Sequence, residues 1–192
     1  SGKMSSRTGD VITGESLIEE VNVRVLEKMK DSEIENKEGI AEQVAVGAIK
    51  YSILKQSAGK DIIFDMDKSL SFEGDSGPYL QYSHTRASAV LEKAKKGKIK
   101  TSFKTNLTET IELEKLLYRF RDVVERANME YEPHYVTTYL TELASAFNSF
   151  YAKEKIVDDS NTAPYKVALT EAFKITMKNG LWLLGIKTPE RM

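Results

Sequence analysis

Apolar residues recur at helical spacing along most of this chain, and polar or proline-bearing stretches interrupt the recurrence. Residues 1–13, SGKMSSRTGDVIT, read as a loop. Thr13 is placed to cap a helix on which Leu17, Ile18, Val21, Val25, Leu26 and Met29 share a face. The charged link KDSEIENKEG follows. A second helix is predicted from Ile40, Val44, Ala45, Ala48, Ile49, Ser52 and Ile53. The run KDIIFDMD is the one short strand-like stretch. Pro78 suits the first turn of a third helix, capped by Ser76 or Gly77, running to about Lys96 with Leu80, Ser83, Ala87, Val90, Leu91 and Ala94 inward.

Next comes KAKKGKIKTSFK, which holds six lysines and no acid. Thr108 is a candidate cap for a helix with the stripe Leu113, Leu116, Leu117, Phe120, Val123, Val124 and Ala127. Pro133 opens another, with Val136, Tyr139, Leu140, Leu143, Ala144, Phe147, Phe150 and Tyr151 inward. Pro164 opens the last, with Val167, Ala168, Ala172, Phe173 and Met177, expected to end at Gly180. The tail LWLLGIKTPERM is apolar and then polar. The pattern predicts an all-α protein, a helical bundle from about residue 75 onward.

Composition narrows the function classes. Of 192 residues, 41% are hydrophobic and 30% charged, enough for one or two domains with a core. Lys and Arg number 28 and Asp and Glu 29, for a formal charge of -1. Global charge therefore does not announce a nucleic-acid binder, and such a claim must rest on local patches. The absence of cysteine excludes disulfides, thiolate metal sites and Cys nucleophiles. No metal cluster is expected. No apolar run approaches the about 20 residues of a membrane span, and no secretory signal is visible. The expectation is a cytoplasmic protein without a membrane partner, with a monomer as the default. An opening Ser1-Gly2 without Met is expected of a cut piece or a tag remnant.

The stretch EGDSGPYLQY, Glu73–Tyr82, holds GDSGP, one glycine short of the nucleophile loop of trypsin-like proteases. A serine nucleophile needs a base and an orienting acid. The only histidines are His84 and His134. His84 stands eight residues beyond Ser76 on the following helix, about 12 Å along its axis. Asp75 and Ser76 therefore read as turn and cap residues. Beyond the cap, Tyr79, Tyr82 and Arg86 fall at i, i+3 and i+7, on a face apart from the apolar one. Two readings of that face stay open. The tyrosines can half-bury with satisfied hydroxyls, or they can form a stacking platform for an unpaired base, with Arg86 supplying hydrogen bonds. The lysines from Lys93 to Lys104 are either a solvated loop or a phosphate-contacting patch.

Three segments carry a family resemblance. KMSSR, Lys3–Arg7, looks like the KMSKS-type loop of class I aminoacyl-tRNA synthetases. SLSFEGDSGPYLQYSHTR, Ser69–Arg86, resembles a segment typical of arginyl-tRNA synthetase. YLTELASAFNSFY, Tyr139–Tyr151, and NGLWLLGIKTPERM, Asn179–Met192, resemble that family's C-terminal anticodon-binding domain. The resemblance implies that residues 1–74 are the end of a catalytic unit with a helical stem-contact connection, and that residues 75–192 are the all-helical anticodon-binding domain.

It further implies a role in attaching arginine to its tRNA with ATP and Mg2+. Lys3, Met4, Ser5, Ser6 and Arg7 would serve the ATP phosphates, and Tyr79, Tyr82, Arg86, Tyr151 and Met192 would contact tRNA. Every arginine codon has a middle G, so the base to be read is the middle anticodon cytosine. Two departures stand out. Ser6 replaces the second lysine of the KMSKS pattern, with Arg7 following. Lys166 in APYKVAL stands where the family's C-terminal motif has an arginine, so a charge is kept but a planar fork is lost. A HIGH-type motif needs two histidines three apart, whereas His84 and His134 are 50 apart. The chain alone is thus expected not to activate arginine, and no cofactor is expected to bind it. The alternatives are a stand-alone RNA-binding helical module without ligase activity, in which KMSSR is a chance polar loop, and a serine hydrolase using Ser76.

Overall fold

A computed structural model describes residues 13–104, 107 and 109–192. The Lys3–Arg7 loop and the Thr108 cap lie outside the described residues. Among those described there are seven helices and no strand: α1 Gly14–Lys28, α2 Lys37–Leu54, α3 Met66–Ser69, α4 Gly77–Lys96, α5 Glu112–Glu130, α6 His134–Lys153 and α7 Ala163–Leu183. The all-α expectation holds. Within the described residues no helix is long and apolar enough to cross a membrane.

Helix starts follow local chemistry. The Thr13 hydroxyl accepts from the Ser16 backbone N–H at 3.1 Å, which satisfies one of the orphan donors of α1. The first turn of α5 is closed by the Glu114 carboxylate, which accepts from the Ile111 N–H at 2.7 Å. The strand-like run KDIIFDMD forms no strand. Ile62 and Ile63 are exposed, and Asp65 instead caps the single turn of α3 by accepting from the Lys68 N–H at 3.0 Å. β-branched residues favour an extended backbone, but no neighbouring strand is there to pair with it among the described residues. Ile53, read as inward, is exposed.

The expected end of α7 at Gly180 is also corrected. Gly180 lies inside the helix, where a Cβ would sit 2.6 Å from Leu140 Cδ2, so its role is close approach to α6. The helix ends at Leu183, and Gly185 takes φ of +66°. There the Ile186 N–H donates to the Leu181 carbonyl at 2.9 Å and the Gly185 N–H to that of Trp182 at 2.9 Å. This is a Schellman motif, closed by the buried pair Leu181 and Ile186.

Two hydrophobic clusters result. The smaller joins Val21 and Val25 of α1, and Met29 just past its end, to Ala41, Val44, Ala45, Ala48 and Ile49 of α2, with Leu70 beside them. The larger fills the space among α4, α5, α6 and α7, with Leu80, Leu140, Leu143, Phe147, Phe173 and Met177 at its centre. The joint between them is α2 against the start of α4. A Cβ on Gly77 would meet the Gly47 carbonyl oxygen at 2.5 Å, so backbone lies on backbone there. Tyr51 of α2 belongs to the larger cluster. Its hydroxyl bonds Asp75 and Thr141, the latter at 2.7 Å. Burial, then the Asp75 bond, drives its ionisation far above the ordinary tyrosine range, so it stays a neutral donor.

Candidate nucleic-acid interface

The face of α4 begins with its cap. The Ser76 hydroxyl accepts from the Tyr79 N–H at 3.1 Å and donates to the Ser71 carbonyl. Asp75 receives the Tyr51 hydroxyl and pairs with Lys55 at 3.2 Å. Neither histidine bonds Ser76. His84 is fully buried with no hydrogen-bond partner on either ring nitrogen, and His134 Nδ1 pairs with Glu132 at 2.8 Å. GDSGP is thus a helix cap and an anchor to α2, and the hydrolase reading has no base to stand on.

Tyr79, Tyr82 and Arg86 point to the same side of α4, half-buried rather than exposed. Asn148 of α6 organises them. Its side-chain amide donates to the Tyr79 hydroxyl and to the Ser83 hydroxyl, each at 3.0 Å. Its carbonyl oxygen accepts from Arg86 Nη1. Both amide hydrogens and the oxygen are thereby used, which fixes the Arg86 guanidinium in place. That guanidinium lies 4.7 Å from the ring centre of Tyr82 and 5.2 Å from that of Tyr151. One cation thus links an aromatic ring of α4 to one at the end of α6. The edge of Phe72 meets Tyr82 at 6.0 Å between ring centres, with planes 76° apart.

Two clefts open on either side of the Tyr82–Arg86 wall. One, about 510 Å³, is lined by Thr85, Lys93, Tyr151, Glu154 and Lys155 together with the wall. The other, about 640 Å³, is lined by Met29, Phe72, Tyr79, Asn148 and Met192 with the same wall. Both combine rings or aliphatic surface with a few polar groups, the usual make-up of a small-ligand or base pocket.

Met192 reaches the second cleft because the C-terminal segment is strapped along α4. Gln81 Nε2 donates to the Lys187 carbonyl at 2.8 Å and to that of Gln43 at 3.1 Å, so one fully buried amide joins α4, α2 and the tail. Thr85 Oγ1 donates to the Pro189 carbonyl at 3.0 Å. Ser88 Oγ donates to Glu190 at 2.9 Å, and Lys174 of α7 pairs with the same carboxylate at 2.8 Å. Partial burial pushes the Glu190 carboxyl up, but Lys174 and Ser88 together hold it below its ordinary value. Burial pushes the His84 imidazole down, with Glu190 and the nearby Pro189 backbone opposing, the latter without forming a hydrogen bond, and Lys174 and Lys178 reinforcing.

The wall opposite α4 depends on Lys166. This lysine is buried, and its Nζ meets the Lys155 carbonyl at 3.1 Å, Glu154 at 3.1 Å and Asp158 at 3.6 Å. Three acceptors thus converge on this one point charge. The Asp158 carboxyl is held low first by the Ser160 hydroxyl and backbone N–H, with Lys166 adding to them.

The structure brings Tyr79, Tyr82, Arg86 and Tyr151 together and sets Met192 across the wall from Tyr151. Of the six-lysine run, only Lys93 lines either cleft. Sequence reading missed Asn148, the strap donors Gln81, Thr85 and Ser88, and the role of Lys166. A lone amide within the aromatic stretch Phe147–Tyr151 was the one available signal for Asn148. Among the described residues no group of carboxylate or imidazole side chains is arranged to hold a metal.

Residues 80–192 match a family described as the DALR anticodon binding domain. The chain is 37% identical over 193 residues to an arginine–tRNA ligase of Streptococcus suis, covering 99% of this chain and 34% of that one. It is 38% identical over 196 residues to the arginine–tRNA ligase of Halothermothrix orenii, covering 100% of this chain and 35% of that one. Its fold superposes on Thermus thermophilus arginyl-tRNA synthetase with a TM-score of 0.84 at 30% identity, over 100% of this chain and 34% of that one. It also superposes on the arginyl-tRNA synthetase of Plasmodium falciparum with a TM-score of 0.79 at 23% identity, over 94% of this chain and 34% of that one, a likeness of fold. The chain spans about a third of the length of the curated relatives it matches.

Proposed function

The chain belongs to the DALR anticodon-binding domain family, and from that premise we propose that it is the C-terminal, tRNA-docking portion of an arginine–tRNA ligase that reads the middle anticodon cytosine. Residues 75–192 are the anticodon-binding unit in this reading, and residues 1–74 end the catalytic unit. The observation that carries it is the Arg86 guanidinium held by Asn148 between the rings of Tyr82 and Tyr151. A splayed pyrimidine needs a flat apolar surface and donors for its carbonyl and ring nitrogen. The tyrosine rings offer the first. The guanidinium N–H groups not bonded to Asn148 offer the second. Tyr79, its hydroxyl committed to Asn148, supports the site. Met192 supplies apolar surface, and the strap along α4 positions it.

In the parent ligase, ATP with Mg2+ and arginine are the substrates, with Lys3–Arg7 as this chain's contribution to the ATP phosphates. The chain holds no HIGH-type histidine pair, so ATP–pyrophosphate exchange by these 192 residues alone is expected to be absent.

The test is binding to an arginine-tRNA anticodon stem-loop, beside the same loop with the middle C changed to U, at fixed salt. The expected result is a preference for C of about 1 kcal/mol or more, lost in Tyr82→Ala and Arg86→Ala. Equal binding of the two loops overturns the reading.

A further inference from the structure

We propose that Lys93 and Lys155 form a phosphate grip at the rim of the cleft between α4 and the segment after α6, holding the backbone of the nucleotide whose base stacks there. The proposal rests on the anticodon-binding reading above. Arg86 is given to the base in that reading. One nitrogen of its guanidinium is committed to Asn148 and its faces are turned toward Tyr82 and Tyr151. A stacked nucleotide still brings a phosphate, and its charge must be met by other groups lining the same cleft.

Two ammonium groups are placed for this. Lys93 stands seven residues past Arg86, so it shares the face of α4, about 10 Å further along the axis. Lys155 lies two residues past the end of α6, and its carbonyl is tied to the buried Lys166 at 3.1 Å, which fixes its backbone near Tyr151. Both line the cleft and both are exposed. Neither has an ion-pair partner among the described residues. The one acid lining the cleft, Glu154, is paired with Lys166 at 3.1 Å and leaves the two lysines uncompensated. The chain's overall charge of -1 does not show this local pairing of cations. The remaining lysines of the run, Lys100 and Lys104 among them, do not line the cleft, and that segment is tied instead to the start of α7 by the Ser102 N–H on the Pro164 carbonyl at 3.2 Å.

The experiment is the salt dependence of anticodon stem-loop affinity for the chain, Lys93→Gln, Lys155→Gln, the double variant, and the control pair Lys100→Gln and Lys104→Gln. Each grip lysine is expected to contribute about one unit of slope in log affinity against log salt. Between 50 and 200 mM salt the unmodified chain should lose about fourfold more affinity than either single variant. The preference for the middle C should survive in all of them, and melting temperatures should not move, since both side chains are solvated. Unchanged slopes in Lys93→Gln and Lys155→Gln overturn the grip, as does an equal loss in the control pair, which would mean diffuse charge. A retained C preference with unchanged slopes sinks the grip alone. Grip-dependent slopes without any C preference sink the anticodon reading and leave a phosphate site. Absence of binding removes both.

Discussion

The two hydrophobic clusters are built by different means. Around α1 and α2 the contacts are made by small or β-branched residues: Ala41, Ala45 and Ala48 let Val21 and Val25 come close. Among α4–α7 large side chains interlock, with the rings of Phe147 and Phe173 stacked 3.9 Å apart at 8°. Four of the five side chains of the proposed site follow the second, Tyr79 among them. Tyr82, Arg86, Asn148 and Tyr151 all rise from α4 and α6, whose positions are set by that interlocked core. The smaller cluster supplies cleft walls through Val25, Met29 and Val44, with Phe72 beside them, and Met192 packs against it. Precision in a site comes from the element with the better-filled core beneath it, because filled cores hold side chains in single rotamers.

Phe173→Ala tests this hardest. It removes a fully buried ring stacked on Phe147, and should cost about 3–5 kcal/mol in denaturant unfolding. Because Phe147 sits one residue before Asn148, the C preference should vanish with it, even where the protein remains folded. Gly77→Ala strikes the joint rather than either core. A Cβ there meets the Gly47 carbonyl, so α2 and α4 must part, at about 1–3 kcal/mol. Amide exchange should show α1 and α2 deprotected well before α4–α7. Uniform deprotection would mean that the two clusters form one cooperative unit.

Ser76→Ala is a smaller change at the same place. Losing the cap on the Tyr79 N–H should cost about 1 kcal/mol, read as a lowered denaturation midpoint with an unchanged slope. The smallest effect is on pH. His84 is buried with its folded-state pKa depressed, so folding favours the neutral ring. Its contribution is fully present above the unfolded value near 6.5 and is lost as pH falls below it. Glu190, also depressed, adds a loss at still lower pH, below its unfolded value of 4.5. The melting temperature should therefore fall on mild acidification, less so in His84→Gln, with the first amide-exchange losses along Lys187–Glu190. A pH-independent melting temperature across that range would contradict this.

Much of the architecture was legible in the chain. Thr13, Ser76, Pro78, Pro133 and Pro164 mark helix starts through local hydrogen bonding or restricted φ, and such signals act within one turn. The Tyr82–Arg86 pair was legible for the same reason, since i and i+4 spacing needs no tertiary knowledge. Gly180 misled because glycine signals either a helix end or a close approach, and only the presence of Leu140 across the interface decides between them. KDIIFDMD misled because strand propensity is realised only when a partner strand exists. Tyr151 was read both as a core residue of α6 and, through the family, as a site residue; the rotation of α6 against α4 turns its ring to the guanidinium.

The amino-acid sequence by itself therefore determined the helical class, most helix starts, the cap role of Ser76 and one half of the candidate site, because each depends on residues within a turn or two of one another. Tertiary structure alone decided that Asn148 would hold Arg86, that Lys166 would be buried against the Lys155 carbonyl and Glu154, and that the tail would lie along Gln81, Thr85 and Ser88, with Met192 at its end. The hydrogen bonds of Lys166 to Lys155, Arg86 to Asn148 and Gln81 to Lys187 join residues 11, 62 and 106 positions apart. No local rule reaches across such separations. They exist because packing the apolar faces of α4, α6 and α7 buries polar groups at the seams, where most of them pair with one another, His84 being an exception.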